Sequence, residues 1–379
     1  MQRGFEVRDS AGITVAESVS PVWPGSGWQV GEEPTLLIGS ANSEELIRPR
    51  DAIRLDDGRL VVTDEGSRQV KFFAPDGRLL RAVGRQGRGP GEYATLWTVR
   101  PFGPDSLMVF DYNLERVSIL DSQGSFGRSF TVVFGPNYWA QGVLHDSLVF
   151  LASPGEGQRR NDSAGIYWDS TWFVLYRGAD LPIDTIGRYA LAERAGRASA
   201  RQRAYHFGHR LQFALAHDRV YVGWSQSYEI GEYTTDGKLL RLIRRAYERR
   251  PVTAEVKAQF RADYEAMVRA EAGDVTPEQM RRFLEFVDDA DYPEYLPAYS
   301  ALLIDADGNL WAEDYRIHTE SESRWTVFDS TGRWLGTVDM PDGLQVLEIG
   351  RDYVLGLRKD DLDLERVSLH ALGRTIGET

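Results

Sequence analysis

Apolar and polar positions alternate along most of this chain in short runs, and turn residues cut the runs apart. The clearest stretch is 49–84, PRDAIRLDDGRLVVTDEGSRQVKFFAPDGRLLRAVG. Its apolar positions (Ile53 and Leu55, Leu60 to Val62, Val70 and Phe72, Leu79 and Val83) are separated by Asp57-Gly58, Glu65-Gly66-Ser67 and Pro75-Asp76-Gly77. A period of two broken by tight-turn residues predicts four short antiparallel strands, here called A to D.

The pattern recurs. The start of strand B, DGRLVVTD at Asp57, has counterparts beginning at Asp105, Asp146, Asp218, Asp307 and Arg351-Asp352. The strand–turn–strand ending of the unit, Phe72 to Gly84, is echoed at Ile119 to Phe130, Glu232 to Ile243 and Val327 to Val338. Blades of roughly 40–50 residues characterise propeller repeats. Six such units predict an all-β fold, a six-bladed β-propeller. The last unit offers three strands, Leu344 to Ile349, Tyr353 to Leu357 and Glu365 to Leu369, so the run Pro34 to Gly39 is expected to close it as the fourth. Closure of this kind removes an exposed edge. Phe5 to Glu17 reads as a separate hairpin on the rim.

One segment breaks the pattern. Val256, Phe260, Tyr264, Met267 and Val268 recur at helical spacing. Gly273-Asp274 ends that helix, and Thr276-Pro277-Glu278-Gln279 carries the signals of a capping box opening a second. The segment 253–291 is therefore expected to be a helical hairpin inserted between blades. The whole chain, 1–379, reads as one propeller domain.

In a blade the A–B and C–D turns lie on one side of the disc, and the B–C turns and D–A links on the other. The first group is tight throughout. The long segments (85–96, 153–171, 189–207, 245–297 and 315–324) all belong to the second group. Binding residues concentrate on loops held by a rigid scaffold, so the loop-rich side is the expected working face.

Net charge is −13, which argues against a nucleic-acid partner. The basic clusters 194–203 and 241–250 read as solvated loops. With no cysteine, disulfides, thiolate metal sites and a cysteine nucleophile are excluded. No run has the apolar length of a membrane span. Met1-Gln2-Arg3 precedes no apolar core of a signal peptide. Ten Trp and seventeen Tyr suit strand packing, and some can line a binding funnel.

Candidate chemistry is sparse. Asp64, Asp111 and Asp314 end strand B in three blades, where they could ring a divalent metal such as Ca²⁺, although shaping the turn is the favoured role. His206 and His209 form an HxxH with no third ligand at a diagnostic spacing. The loop Arg85-Gln86-Gly87-Arg88-Gly89-Pro90-Gly91-Glu92-Tyr93 can cradle an anion on backbone N–H groups but lacks P-loop spacing. Trp97, Tyr112, Trp139, Trp224, Tyr299 and Tyr315 stand near the bases of the loops. No Ser-His-Asp order, HExxH or GxSxG is present.

The blade 49–84, the junction GRQGRGPGEY, the LLIDADGNLWAEDY blade, the closing DYVLGLRKDDLDLERVSLHAL and the opening RDSAGITVAES resemble bacterial six-bladed propellers of the NHL-repeat and TolB-like type. The resemblance implies an exported protein, periplasmic or at the cell surface, although the chain shows neither leader nor lipid-accepting cysteine. The expected function is binding of a protein, peptide or carbohydrate on the loop-rich face, with Arg85, Arg88, Tyr93, Trp97, Tyr112, Trp139, His206, His209, Trp224, Tyr299 and Tyr315 as candidate contacts. No cofactor is predicted. The alternatives are a pore-centred, metal-dependent hydrolase or lyase, for which no complete catalytic set can be matched, and a structural partner in a larger assembly.

Overall fold

The computed structural model describes residues 4–23, 27–39, 46–132, 138–144, 147–152, 166–176, 184–195, 205–216, 218–317, 323–360 and 364–374. It is a six-bladed β-propeller. Blade 1 comprises Pro49–Arg54, Leu60–Asp64, Gln69–Phe73 and Leu79–Val83. Blade 2 comprises Leu96–Pro101, Ser106–Asp111, Arg116–Asp121 and Phe126–Thr131. Blade 3 comprises Tyr138–Leu144, Ser147–Ala152, Ile166–Tyr176 and Asp184–Ala195. Blade 4 comprises Leu211–Leu215, Arg219–Trp224, Glu229–Thr234 and Leu239–Arg245. Blade 5 comprises Tyr299–Ile304, Leu310–Asp314, Ser323–Phe328 and Trp334–Met340. Each is an antiparallel meander in sequence order.

Blade 6 supplies Gln345–Ile349, Tyr353–Lys359 and Glu365–Arg374 from the C-terminal part of the chain. Leu36–Ile38 closes it, with Leu36, Leu37 and Ile38 opposite Leu369, Ser368 and Val367. A second piece was not foreseen: Trp28–Val30 pairs further along the same strand, opposite Leu372 to Arg374. The N-terminal strands Phe5–Ser10 and Ile13–Ser18 form a hairpin that adds to the outer strand of blade 4, with Ile13–Ser18 parallel to it.

Hydrophobic burial is organised by interface rather than by one central core. Between blades 1 and 2, Val61, Val70 and Phe72 meet Tyr93, Leu96 and Val109. Between blades 4 and 5, Tyr228 and Ile230 meet Tyr299, Leu302 and Phe328. Between blades 6 and 1, where the ring closes, Ile38, Leu355 and Val367 meet Leu60, Val62 and Phe73. Middle strands are apolar on both faces because each face meets a neighbouring blade.

The inserted helices are α1 (Ala254–Ala272), capped by Thr253, and α2 (Pro277–Asp288), opened by the Thr276–Gln279 capping box. Met280, Leu284 and Val287 of α2 are buried. The two legs of the insertion are joined where Pro251 bridges Tyr295 and Leu296 N–H donates to the Arg250 carbonyl (2.9 Å).

Blade 3 departs from the sequence expectation. Segments 166–171 and 189–195 are not loop and link. They are the paired continuation of strands C and D, with Ile166 opposite Ala195 and Thr171 opposite Tyr189. Of the remainder of those two expected loops, 153–165 and 196–204 lie outside the described residues, and 205–207 are described, with Tyr205 bridging Asp291. The long hairpin reaches past the disc on the loop-rich side, where Ala192 bridges Arg210.

Candidate functional site

The strand-end carboxylates share a repeat position but not an environment. Asp64 is buried and accepts from Arg48 N–H (2.7 Å), Ile47 N–H (3.2 Å), the Ser67 hydroxyl (2.8 Å) and Lys71 Nζ (2.7 Å). Asp111 accepts from the N–H groups of Ala94 (2.6 Å), Thr95 (3.2 Å) and Leu114 (3.0 Å). Both stitch the end of strand B to the entry of strand A in their own blade. Asp314 differs: its Oδ1 accepts from the Tyr228 hydroxyl (2.7 Å), the Thr326 hydroxyl (2.9 Å) and Arg245 (3.1 Å). Among the described residues no three His, Asp or Glu side chains stand close enough together to hold a metal ion.

The loop 85–93, which the sequence favours as a Gly/Pro crossing between blades rather than an anion cradle, holds an anion of its own. The Glu92 carboxylate takes the N–H groups of Gly89 (2.8 Å) and Arg88 (3.0 Å) and pairs with Arg85 (2.8 Å). The backbone bond from Gly89, then the Arg85 side chain, hold its pKa below the usual carboxylate range. Arg116 fastens the loop from below through the Arg88 carbonyl (2.8 Å) and the Glu92 carbonyl. The loop is a self-filled structural cap, and a Gly-rich basic reading could not separate that from a vacant site.

The other candidate contacts fall in separate places. Tyr93 and Tyr299 are buried between blades and offer no surface. Trp97 is partly exposed beside Tyr112 (6.1 Å between rings), with the Arg50 guanidinium 5.4 Å from its ring. His206 is packed between Phe260 and Phe286 of the helices, each 4.8 Å away, and Tyr292; burial lowers its pKa. His209 is buried, with Nδ1 2.9 Å from Glu193 on the long hairpin of blade 3. The two histidines thus join the helical insertion to blade 3 rather than forming one site. Trp224 is half-buried. The Trp139 side chain lies outside the described residues.

Among the candidate contacts, Tyr315 lines a cleft. This cleft, about 480 Å³, lies on the loop-rich side between the 245–298 link and the end of strand B in blade 5. Four arginines line it (Arg245, Arg250, Arg316 and Arg324), against two carboxylates, Glu248 and Asp314. Arg245 is fixed between the Tyr228 ring (4.0 Å) and the Trp334 ring (4.7 Å) while it pairs with Asp314. Arg250 donates to the Tyr315 carbonyl, and Arg324 pairs with Asp339 (2.7 Å). Burial and the Asp314 charge raise the Tyr228 pKa well above its ordinary value, so this hydroxyl stays protonated and donating. The basic run 241–250, read from the sequence as a solvated loop, contributes Arg245 and Arg250 to this cleft.

A second cavity, about 770 Å³, occupies the central channel at the opposite, tight-turn end. The inner strands of blades 2 to 6 line it, including Arg100, Phe213, Leu302 and Glu348.

A family model described as a 6-bladed beta-propeller, DUF5128, matches residues 40–99. No curated protein matches the sequence. A candidate exported protein from Bacteroides fragilis has a similar structure, with a TM-score of 0.50 at 13% identity, covering 94% of this chain and 98% of that one. An aldose sugar dehydrogenase from Streptomyces coelicolor matches with a TM-score of 0.45 at 13% identity, over 91% of this chain and 98% of that one. A virginiamycin B lyase from Staphylococcus aureus matches with a TM-score of 0.42 at 9% identity, over 91% and 99%. At these identities the likeness extends to the fold alone. Among the described residues no helix of the propeller is long and apolar enough to cross a membrane.

Proposed function

We propose that this propeller, of the NHL-repeat or TolB-like kind, is an exported binding protein that takes an anionic ligand on its loop-rich face. The observation that carries the reading is the cleft beside blade 5, where four arginines face two carboxylates. Guanidinium groups present planar donor pairs that suit carboxylates and phosphates, and Arg245 is already held in place by two rings and Asp314. A volume of this size accommodates a small molecule or the end of a polymer. An acidic peptide or a uronate-bearing oligosaccharide has the required charge. Export is the expectation of the sequence resemblance, and the Bacteroides protein of similar fold is in keeping with it.

The test is a thermal-shift and calorimetric panel of acidic oligosaccharides and acidic peptides. A ligand is expected whose affinity falls with added salt and is lost in the Arg316→Glu, Arg324→Glu double variant. Equal binding by wild type and variant, or no anionic ligand at all, refutes the reading. Fractionation of cells carrying the natural gene tests export, and recovery with cytoplasmic markers refutes it.

A further inference from the structure

The channel cavity has a composition unlike the loop-face cleft. Apolar side chains, Val143, Phe213, Leu215, Leu302, Ile304 and Leu347, make up the larger part of its walls, with Gln141 beside them. Arg100 and Glu348 set one cation and one carboxylate into that lining. Both are anchored by neighbouring blades. Arg100 of blade 2 donates to Asp51 of blade 1 and to the carbonyl of Val99 (2.6 Å). Glu348 of blade 6 accepts from Arg54 N–H of blade 1 (3.2 Å) and from the Tyr353 hydroxyl. The Asp51 carboxylate takes Val99 N–H (3.0 Å) and Ala52 N–H (3.0 Å). Side chains held this way keep their positions when a ligand arrives, so little ordering cost remains.

We propose that the tight-turn mouth of the central channel binds a small zwitterion with an apolar body, an apolar α-amino acid or short apolar peptide. Its carboxylate meets Arg100, its ammonium meets Glu348, and its side chain lies on Phe213, Leu302 and Ile304. Arg100 keeps its Asp51 partner and Glu348 its Tyr353 partner whatever is bound, so a ligand of one charge uses one of the two charged groups of the lining and a zwitterion uses both. A fully apolar ligand uses neither. Two further observations agree. Burial raises the pKa of both Asp51 and Glu348, and the Asp51 charge adds to the rise at Glu348, so an ammonium beside Glu348 relieves that repulsion. The cavity volume lies in the range of small-molecule sites.

The inference rests on residues apart from the arginine cleft, so the two readings can fail separately. Calorimetry on the full chain with L-phenylalanine, L-leucine and the dipeptide Leu-Phe should show binding. Phenylacetate and phenethylamine, which each keep one charge, should bind at least tenfold more weakly than L-phenylalanine. Glu348→Gln should weaken L-phenylalanine at least tenfold and leave phenylacetate unchanged. Ile304→Trp, a half-buried position that lines the channel, should abolish all binding. The cleft variant Arg316→Glu should leave L-phenylalanine binding intact. The proposal is overturned if none of the three zwitterions binds at millimolar concentration, if either singly charged analogue binds as well as L-phenylalanine, or if Ile304→Trp has no effect. Should Glu348→Gln fail to fold, the analogue series and Ile304→Trp still decide.

Discussion

Lys71→Met tests whether the repeated strand-end carboxylate is structural. Lys71 and Asp64 are both almost wholly buried, and their charged atoms are 2.7 Å apart. Burial pushes the Asp64 pKa up, but the hydrogen bonds from Lys71, Arg48 N–H and Ser67 outweigh it and hold the carboxyl below its usual range. Methionine keeps the length of the side chain and removes its charge. The carboxylate then stays buried with only neutral donors. Breaking one side of a buried pair costs about 3–5 kcal/mol. For a chain of 379 residues the unfolding entropy is about 0.8 kcal/mol per degree at the midpoint, so Tm should fall by about 4–6 °C. The pH dependence has a definite sign. In the wild type the depressed Asp64 pKa contributes stability that is complete above about pH 4 and is lost as pH falls through the folded value. Without Lys71 the folded pKa rises, so the variant's deficit should be largest at neutral pH and shrink towards pH 4, where the carboxyl can take a proton. Asp64→Asn strands Lys71 instead, and the double variant should be more stable than either single one. Calorimetric melts of the four proteins at several pH values provide the measurement. A deficit below about 1 kcal/mol, or one that does not vary with pH, refutes the account.

Three further outcomes are expected. His370 is buried in the closing blade, with Nδ1 donating to the Gly31 carbonyl (2.9 Å) and Nε2 beside the Ser368 hydroxyl (3.2 Å), and burial lowers its pKa. A histidine whose folded pKa is depressed contributes fully above its unfolded value, about 6.5, and costs stability as pH drops from there; His370→Gln should reduce the loss of Tm between neutral and mildly acid pH, with His206 supplying part of the remainder. Gly237 sits at φ +82°, and a Cβ there would lie 2.1 Å from the Ile186 carbonyl oxygen of blade 3, so Gly237→Ala should lower stability by more than the ~1 kcal/mol of the backbone conformation alone, read in urea melts. Ile38→Ala empties a buried site where the first and last blades meet and should cost about 2–5 kcal/mol, read in the same melts, whereas Leu37→Ala on the exposed face of the same strand should be nearly neutral.

The blades were legible because a strand's side chains alternate and its turns need particular residues. Asp57-Gly58, Asp76-Gly77 and Asp307-Gly308 mark hairpins, and each glycine has positive φ. The capping box at Thr276 and the closing role of Leu36–Ile38 were readable for the same local reasons. Repeat position was a poorer guide to chemistry. Asp64, Asp111 and Asp314 share a place in the blade, yet only the first two bind the backbone, because Arg245 and Tyr228 reach Asp314 from the neighbouring blade. The loop 85–93 offered an anion site only as its less favoured reading, and its own Glu92 turns back to take the N–H groups.

Strand period, turn residues and helix caps act over a few residues, and the amino-acid sequence by itself determined the blades, the helical hairpin and the uneven loading of the two faces. Charge convergence acts through space. The arginine cleft joins residues 245–250 to 314–316 and Arg324, and the channel sets Arg100 and Glu348, far apart in sequence, in one lining. Only the closed ring decides which side chains share a cavity, because the angle between blades, and not their order, sets which residues face one another across it.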